Sequence, residues 1–347
     1  MKTAVIAFSA KGCETAKRIA KTLKCDDLAL YSKTSLSHPG IENIRASLKE
    51  WTATAFSDCD AIIFVGAVGI AVRAIAPFVV SKTTDPAVIS VDELGKFSVP
   101  VLSGHIGGAN DLAKIIASGI GATPVVTTAT DINGKIAIDS FAVKNDMAIE
   151  NIGAAKDIAA KILADEPVGL VSDFPIIGNV PDELSGPRDS AAGVYIGEEA
   201  GDRFDITLTL VPRRRTLGIG CRKGISEEAI EKAVADAISS AGISMDSIRA
   251  AASIDLKKDE AGLLEFSVKH GIPMTFYTSS ELNSVPGEFS SSDFVRSVTD
   301  VDCVCERSAV KISRNGRLIL KKYAENGVTV AIAEEDFSVD FTKGRFS

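Results

Sequence analysis

What the chain lacks narrows its chemistry first. No Cys-x-x-Cys pair occurs among its six cysteines, and Cys303-x-Cys305 is too tight for the usual zinc spacing. Its histidines are only His38, His105 and His270, scattered along the chain. Both absences argue against a protein-held zinc or iron site and leave reduced, structural thiols as the reading. No apolar run reaches the roughly 18 residues of a membrane helix. The opening Met1-Lys2-Thr3-Ala4-Val5-Ile6-Ala7-Phe8 enters a strand at once, without the long apolar region and cleavage site of a signal peptide. The expectation is a cytoplasmic protein with no membrane partner. Basic charge is short too: 38 Lys and Arg against 46 Asp and Glu give a net charge of −8. A non-specific nucleic-acid binder needs a basic face, so nucleic acid is excluded as a partner.

Nucleotide fingerprints are missing as well. The turn Gly66-Ala67-Val68-Gly69 is not G-x-G-x-x-G, and no G-K-[ST] follows it. There is no internal repeat and no low-complexity tract.

What is present is an alternation of strand and helix signals. Thr3–Phe8, Ala61–Val65, Ala87–Val91, Val99–Leu102 and Thr123–Thr128 read as strands, and Ala16, Ile19, Ala20 and Leu23 form a helical stripe. Gly66–Ala76 reads as a helix that Pro77 stops. This predicts a mainly parallel sheet covered by helices. Between residues 132 and 212 the clear elements are a helix at Ala154–Ala164 and strands at Val168–Ser172 and Ile206–Val211. Phe174–Asp205 reads as loops and short strands. Pro212–Thr216 reads as a linker. Further α/β units follow, with strands at Leu217–Ile219, Ala250–Ile254, Met274–Tyr277 and Val328–Ala333, a short unit at Ser308–Val310, and helices that Gly242 and His270 close. Glu334–Ser347 reads as a polar, peripheral tail. The chain is thus expected to be a multi-domain α/β protein. Residues 1–130 form a parallel-type α/β domain, 131–212 a small α/β middle domain, and 213–347 an α/β C-terminal domain.

The richest stretch is Leu102-Ser103-Gly104-His105-Ile106-Gly107-Gly108-Ala109-Asn110-Asp111-Leu112. It joins a strand end to a helix start, where backbone N–H groups and the helix dipole favour an anion. His105 adds a group that moves protons near neutral pH. The competing reading is a plain capped turn, with Asn110 or Asp111 as the cap. Gly66 and Gly69 make a second such turn, and Arg73, one turn into its helix, favours an anion there. Asp92 and Glu93 follow a strand and would offer carboxylates at the same sheet edge, or form a solvated loop. Asp131 ends another strand beside Thr127, Thr128 and Thr130. Gly220-Cys221-Arg222-Lys223-Gly224 resembles an anion cradle, and Glu306 is either a site carboxylate or a helix-end residue.

Taken in order, Phe64–Arg73, Val99–Leu112, Val125–Asp131, Leu217–Gly224, Ile254–Glu260 and Val304–Ala309 resemble the CbiG family of anaerobic cobalamin biosynthesis, the cobalt-precorrin-5A hydrolases. From Arg215 onward the chain also looks like the stand-alone CobE protein. The resemblance implies a ring-contracted cobalt tetrapyrrole as substrate, with a δ-lactone on ring A. Water opens the lactone, and a two-carbon fragment leaves as acetaldehyde, giving cobalt-precorrin-5B. It implies no cofactor, since the cobalt belongs to the substrate, and other enzymes of the pathway as further partners.

That chemistry needs a base, an acid and oxyanion donors. His105 is the first candidate base, with Asp92, Glu93 and Asp131 behind it, and the N–H groups of Gly107 and Gly108 are candidate oxyanion donors. Gly66, Gly69, Arg73, Asn110, Gly220, Arg222 and Glu306 are candidates to hold the substrate and its acetate and propionate arms. A non-catalytic corrinoid carrier, or a hydrolase of another acidic small molecule, would use much the same turns.

Overall fold

The computed structural model describes residues 1–23, 25, 27–81, 84–187, 189–199 and 201–343. They form two compact units, Met1–Lys144 with Ala159–Glu166, and Asn145–Ile158 with Pro167–Thr342.

The first unit runs β1 (Thr3–Ala7), α1 (Ala10–Leu23), β2 (Leu28–Ser32), β3 (Glu42–Asn43), α2 (Leu48–Asp58), β4 (Ala61–Val65), α3 (Val68–Ile75), β5 (Ala87–Val91), β6 (Phe97–Leu102), α4 (Ala109–Ile120), β7 (Thr123–Pro124), α5 (Ala129–Ile132) and α6 (Ile138–Lys144). Its seven strands make one sheet in the order β3-β2-β1-β4-β5-β6-β7. β1, β4 and β5 are buried at every position. Such continuous apolar runs suit a sheet covered on both faces. Alternate side chains accordingly feed two cores. Val5, Ile63 and Ile89 pack with Ile19, Leu112 and Ile116 of α1 and α4. Ile6, Ile62, Phe64 and Val88 pack with Ala55, Ala71 and Ala74 of α2 and α3.

The pairs from β3 through β5 are parallel, as expected. β6 is not. It runs antiparallel to β5, with Val88 opposite Leu102 and Val91 opposite Ser98. The cause is local. The carboxylate of Asp92 accepts the N–H groups of Leu94, Lys96 and Phe97 at 3.0, 2.7 and 2.6 Å and closes a tight turn. A connection this short joins antiparallel strands only. The carboxyl end of β6 therefore lies at the opposite sheet edge from the carboxyl ends of β1, β4 and β5. β7 is also shorter than expected, and the chain from Val125 to Thr128 leads to α5 as a loop.

The second unit contains β8 (Met147–Ile149), α7 (Ile152–Leu163, whose last turns group with the first unit), β9 (Gly169–Ser172), β10 (Ile176–Ile177), β11 (Ala192–Ile196), β12 (Ile206–Pro212), β13 (Arg215–Cys221), α8 (Glu227–Ala241), β14 (Ile248–Ile254), α9 (Ala261–His270), β15 (Met274–Tyr277), α10 (Ser279–Asn283), α11 (Asp293–Thr299), α12 (Val304–Ile312), β16 (Arg317–Glu325), β17 (Val328–Glu334) and β18 (Val339–Asp340). It holds a four-stranded sheet, β8-β12-β11-β9, and a five-stranded sheet, β15-β14-β13-β17-β16. β11 is wholly buried at the middle of the smaller sheet, inside a region that reads as loops and short strands. A Cβ on Gly193 would stand 2.3 Å from the Phe204 ring, so packing sets the glycine at this strand position.

The segment read as a linker is not one. β12 runs through Pro212 and β13 begins at Arg215. Arg215 is 4% exposed and pairs with Glu198 at 2.6 Å and Glu334 at 3.0 Å, and Arg214 bridges the same two carboxylates. Ser308–Val310 belongs to α12, which buries Val304, Cys305, Ser308 and Ala309 at helical spacing. The tail is anchored too: β18 pairs with β10, and Val339 is fully buried. Residues 344–347 of that tail lie outside the described residues.

Candidate active site

The turn from β6 to α4 is built on its own carbonyls. Ser103 takes φ 55° and donates its hydroxyl to the Asp85 carbonyl at 3.0 Å. The N–H groups of Gly108, Ala109 and Asn110 donate to the carbonyls of His105, Ser103 and Gly104 at 3.0, 3.1 and 3.0 Å. The cap of α4 is Gly108, at φ 82°, and no side chain caps it. Neither Asn110 nor Asp111 is therefore the cap. The Gly108 N–H is also already engaged, which removes it as an oxyanion donor. Gly107 is fixed by packing: a Cβ there would lie 2.2 Å from the Ser103 Cβ.

Freed from capping, the side chains converge on one another. Buried Asn110 donates its amide to Thr128 Oγ1 and Asp131 Oδ2, both at 2.9 Å. Thr128 Oγ1 donates to Asp131 Oδ2 at 2.6 Å, and Lys114 Nζ reaches Asp131 Oδ1 at 2.5 Å. His105 completes the group. Its Nε2 lies 3.3 Å from Asp131 Oδ2 and 3.1 Å from Thr130 Oγ1, and its Nδ1 lies 3.5 Å from Asp139 Oδ1 on α6. Asp111 turns aside to Lys144 at 2.9 Å.

The two acids and the imidazole set each other's charge. Burial alone would lift the Asp131 carboxyl. Hydrogen bonds from Lys114, Thr128 and Asn110 outweigh it and hold Asp131 down to about 2. A carboxylate held this low is a weak proton acceptor at neutral pH. His105 moves the other way. The hydrogen-bonded Asp139 carboxylate pushes its pKa up, partial burial opposes this, and Asp131 adds to the rise. The charged imidazole is favoured, and its two carboxylate contacts are the longest in the cluster. Contacts of that length are the easiest to exchange for a substrate atom.

The remaining candidates in this unit lie elsewhere. Asp92 closes the β5–β6 turn. Glu93 accepts the Ser9 hydroxyl at 2.7 Å and, through its carbonyl, that of Thr15 at 2.8 Å. Because β6 is antiparallel, both stand at the sheet edge opposite His105, and neither is its partner. Gly66, Gly69 and Arg73 follow β4 at that far edge, where Arg73 Nη1 reaches back to the Gly69 carbonyl at 3.4 Å. Sequence reasoning missed Asp139 and Lys114 as site groups, while Thr130 stands in the Thr127–Asp131 motif it singled out. Lys114 lies one helical turn from Asn110, and nothing in the local sequence marks Asp139.

In the second unit, Gly220 and Arg222 line a cavity of about 620 Å³. Glu306 faces inward instead. It is 0% exposed and accepts the Ser290 N–H and hydroxyl at 2.8 and 2.7 Å and the Lys322 N–H at 2.8 Å. Its oxygens are fully engaged, so its job is structural. Cys221, whose thiol burial pushes up to about 11, does not suit a nucleophile at neutral pH. Glu227, Glu231 and His270 stand close enough together to share a cation. Lys269 already bonds both carboxylates, at 3.0 and 2.7 Å, and makes the group an ion-pair network.

Comparison with known proteins agrees with the order of these motifs. The family model described as cobalamin synthesis G N-terminal matches residues 50–131, and that described as cobalamin synthesis G C-terminus matches residues 215–333. The chain is 29% identical to a cobalt-precorrin-5A hydrolase of Priestia megaterium, covering 95% of this chain and 94% of that protein. It is 30% identical to a cobalt-precorrin-5A hydrolase of Salmonella typhimurium, covering 95% and 96%. Protein CobE of Sinorhizobium sp. is 27% identical over 34% of this chain and 77% of its own length. No helix among the described residues is long and apolar enough to cross a membrane.

Proposed function

The chain belongs to the cobalamin synthesis G family, and on that premise we propose that it is a cobalt-precorrin-5A hydrolase. The observation that carries the reading is the continuous match, over nearly the whole chain, with relatives of that name. Nothing favours a carrier role or a different acidic substrate.

In this reading His105 is the proton-transfer group. Water adds to the lactone carbonyl and gives up one proton to solvent, the acyl–oxygen bond breaks to leave a carboxyl group, and protonated His105 gives its proton to the departing ring oxygen. The resulting alcohol then returns that proton to the neutral imidazole. As it does so, its carbon–carbon bond breaks, acetaldehyde leaves, and the electron pair left on the macrocycle takes up a proton from solvent, which balances the one released by water. Substrate and water thus give product and acetaldehyde. Asp139 and Asp131 favour the charged imidazole from which this sequence starts. The Lys114 ammonium and the Asn110 amide fix Asp131 in place. The proposal asks for no cofactor, because the cobalt arrives with the substrate. It places the enzyme in the cytoplasm, the reduced compartment that suits six free cysteines.

The test is direct. Purified protein given cobalt-precorrin-5A without oxygen should release an equivalent of acetaldehyde. Binding of the compound with no release would refute the enzyme reading.

A further inference from the structure

Two thiols of the second unit touch each other at the wall of a cavity. Sγ of Cys303 lies 3.7 Å from Sγ of Cys305. Cys303 is the residue from which α12 starts, and Cys305 stands in its first turn. Both are buried, at 3% and 1% exposed, in a cluster with Ala309, Ala331 and Ala333. Both also line the cavity of about 620 Å³, together with Arg222, Lys223 and Lys322. Small neighbours leave the sulfurs room to turn, and the cavity is a route by which a small molecule reaches them.

The backbone around them is held. Arg307 bonds the Asp302 carboxylate at 2.6 and 2.9 Å and the carbonyls of Leu282 and Val285 at 3.2 and 3.0 Å, which pins the chain as it enters α12. On the other side β13 comes so close that a Cβ on Gly218 would stand 1.8 Å from the Cys305 carbonyl oxygen. A disulfide bond is about 2.05 Å long, so rotation of the two side chains has to close a gap of under about 2 Å. The two sulfurs are also unlike. The Cys305 thiol donates to Cys303, and the Glu306 N–H and the Lys322 ammonium favour the same thiolate. The Cys303 pKa therefore falls, although burial and the Glu306 carboxylate oppose it. That shared hydrogen bond and burial push the Cys305 pKa up. A thiolate at a helix start beside a cation is the attacking partner of an exchange reaction, and its protonated neighbour is the resolving one.

We propose that Cys303 and Cys305 are a redox-active dithiol that closes to a disulfide by exchange with a small anionic disulfide entering this cavity. The Cys303 thiolate attacks one sulfur of the small disulfide, whose S–S bond breaks and releases the first small thiolate. Cys305 gives its proton to solvent and attacks the Cys303 sulfur, and the second small thiolate leaves. The two departing thiolates take up the protons that Cys303 and Cys305 gave to solvent. Two protein thiols are thus oxidised, and one small disulfide is reduced to two thiols. Arg222, Lys223 and Lys322 recruit the anion. The dithiol is the resting form in a reducing compartment, and the pair closes when the small-thiol pool is oxidised. This chemistry is independent of the lactone opening at His105, and it gives the two cysteines a role beyond filling the core.

Oxidised glutathione, an anionic disulfide, and cystamine, a cationic one, are the probes. Each is given without oxygen to the full chain in its reduced form, and the tryptic peptide Ser297–Arg307, which carries both sulfurs and no other cysteine, is weighed by mass spectrometry. In wild type this peptide should lose two hydrogens with oxidised glutathione and regain them with dithiothreitol. Cys305→Ser should stop at a mixed disulfide of glutathione with Cys303. Cys303→Ser should form its adduct about tenfold more slowly or worse, because Cys305 alone lacks the favoured thiolate. With rates normalised to those of free cysteine, oxidised glutathione should close the wild-type pair several-fold faster than cystamine at low salt, and added salt should erase the difference. Thermal melts check that the variants fold, and the wild-type measurement needs no variant. A wild-type peptide that keeps its two hydrogens, adducts formed equally fast at either single cysteine, or equal normalised rates for the two disulfides would each overturn the inference.

Discussion

Nδ1 of His105 lies 3.5 Å from Oδ1 of Asp139, joining the turn after β6 to the first turn of α6. This contact is the leading reason that the imidazole favours its charged form. It makes Asp139 the positioning residue through which the proton-transfer group is tuned.

Asp139→Asn should therefore shift a pH profile more than it disturbs the fold. Activity that starts from protonated His105 declines as pH rises through the histidine pKa. Removing the carboxylate lowers that pKa, so the alkaline limb of kcat should move to lower pH. A limb that stays in place in Asp139→Asn would show that Asp139 does not set the charge of His105.

Asp131 gives a stability signature of the opposite sign. Its folded pKa of about 2 lies below the ordinary 3.8. The stabilisation it brings is present above the ordinary value and is lost as pH falls towards the folded one. Melting temperatures of wild type and Asp131→Asn should differ at pH 6 and converge between about pH 4 and pH 2. A gap that is constant with pH would contradict the hydrogen-bonded, ionised carboxylate.

The turn itself is tested at Gly107. Its Cβ would sit 2.2 Å from the Ser103 Cβ and 2.7 Å from the Ser103 carbonyl oxygen. Gly107→Ala should cost about 1–3 kcal/mol of stability, as overpacking does, and should lower activity by displacing His105. Gly153→Ala on α7, which meets nothing within 4 Å, is the control and should lose no stability. Equal melting temperatures for the two variants would contradict the packing account.

Glu306 was a candidate for the substrate and is placed as a buried acceptor. Glu306→Ala should lower stability by about 3 kcal/mol or more, since it strands three donors and each one left unpaired costs about 1–3 kcal/mol. Glu306→Gln should recover part of it. Unchanged melting in Glu306→Ala, measured with denaturant or heat, would return the residue to the list of ligand-facing groups.

The legible parts of this chain are those where local pattern and tertiary outcome agree. Ala61–Val65, Ala87–Val91 and Met274–Tyr277 are strands at the residues their apolar character marks. The helix closed by Gly242 ends there in the left-handed conformation. What failed was direction. The strand character of β6 is plain in the sequence, but its reversal depends on three backbone hydrogen bonds to Asp92, and that reversal separates His105 from Asp92, Glu93 and Gly66. His105, Asn110 and Asp131 were each legible as candidates. Their convergence was not, because it runs through Thr128 and Lys114, and Asp139 carries no signal in its local sequence. β18 was hidden for a related reason, since its burial is dictated by a partner far along the chain.

Acetaldehyde release from cobalt-precorrin-5A, measured for wild type and for His105→Ala at equal concentrations of folded protein, tests the central claim most directly. The account predicts stoichiometric release by wild type and a fall of about 10²–10⁴-fold in rate for the variant, the usual contribution of a positioned acid or base. Release by His105→Ala within severalfold of wild type would contradict it.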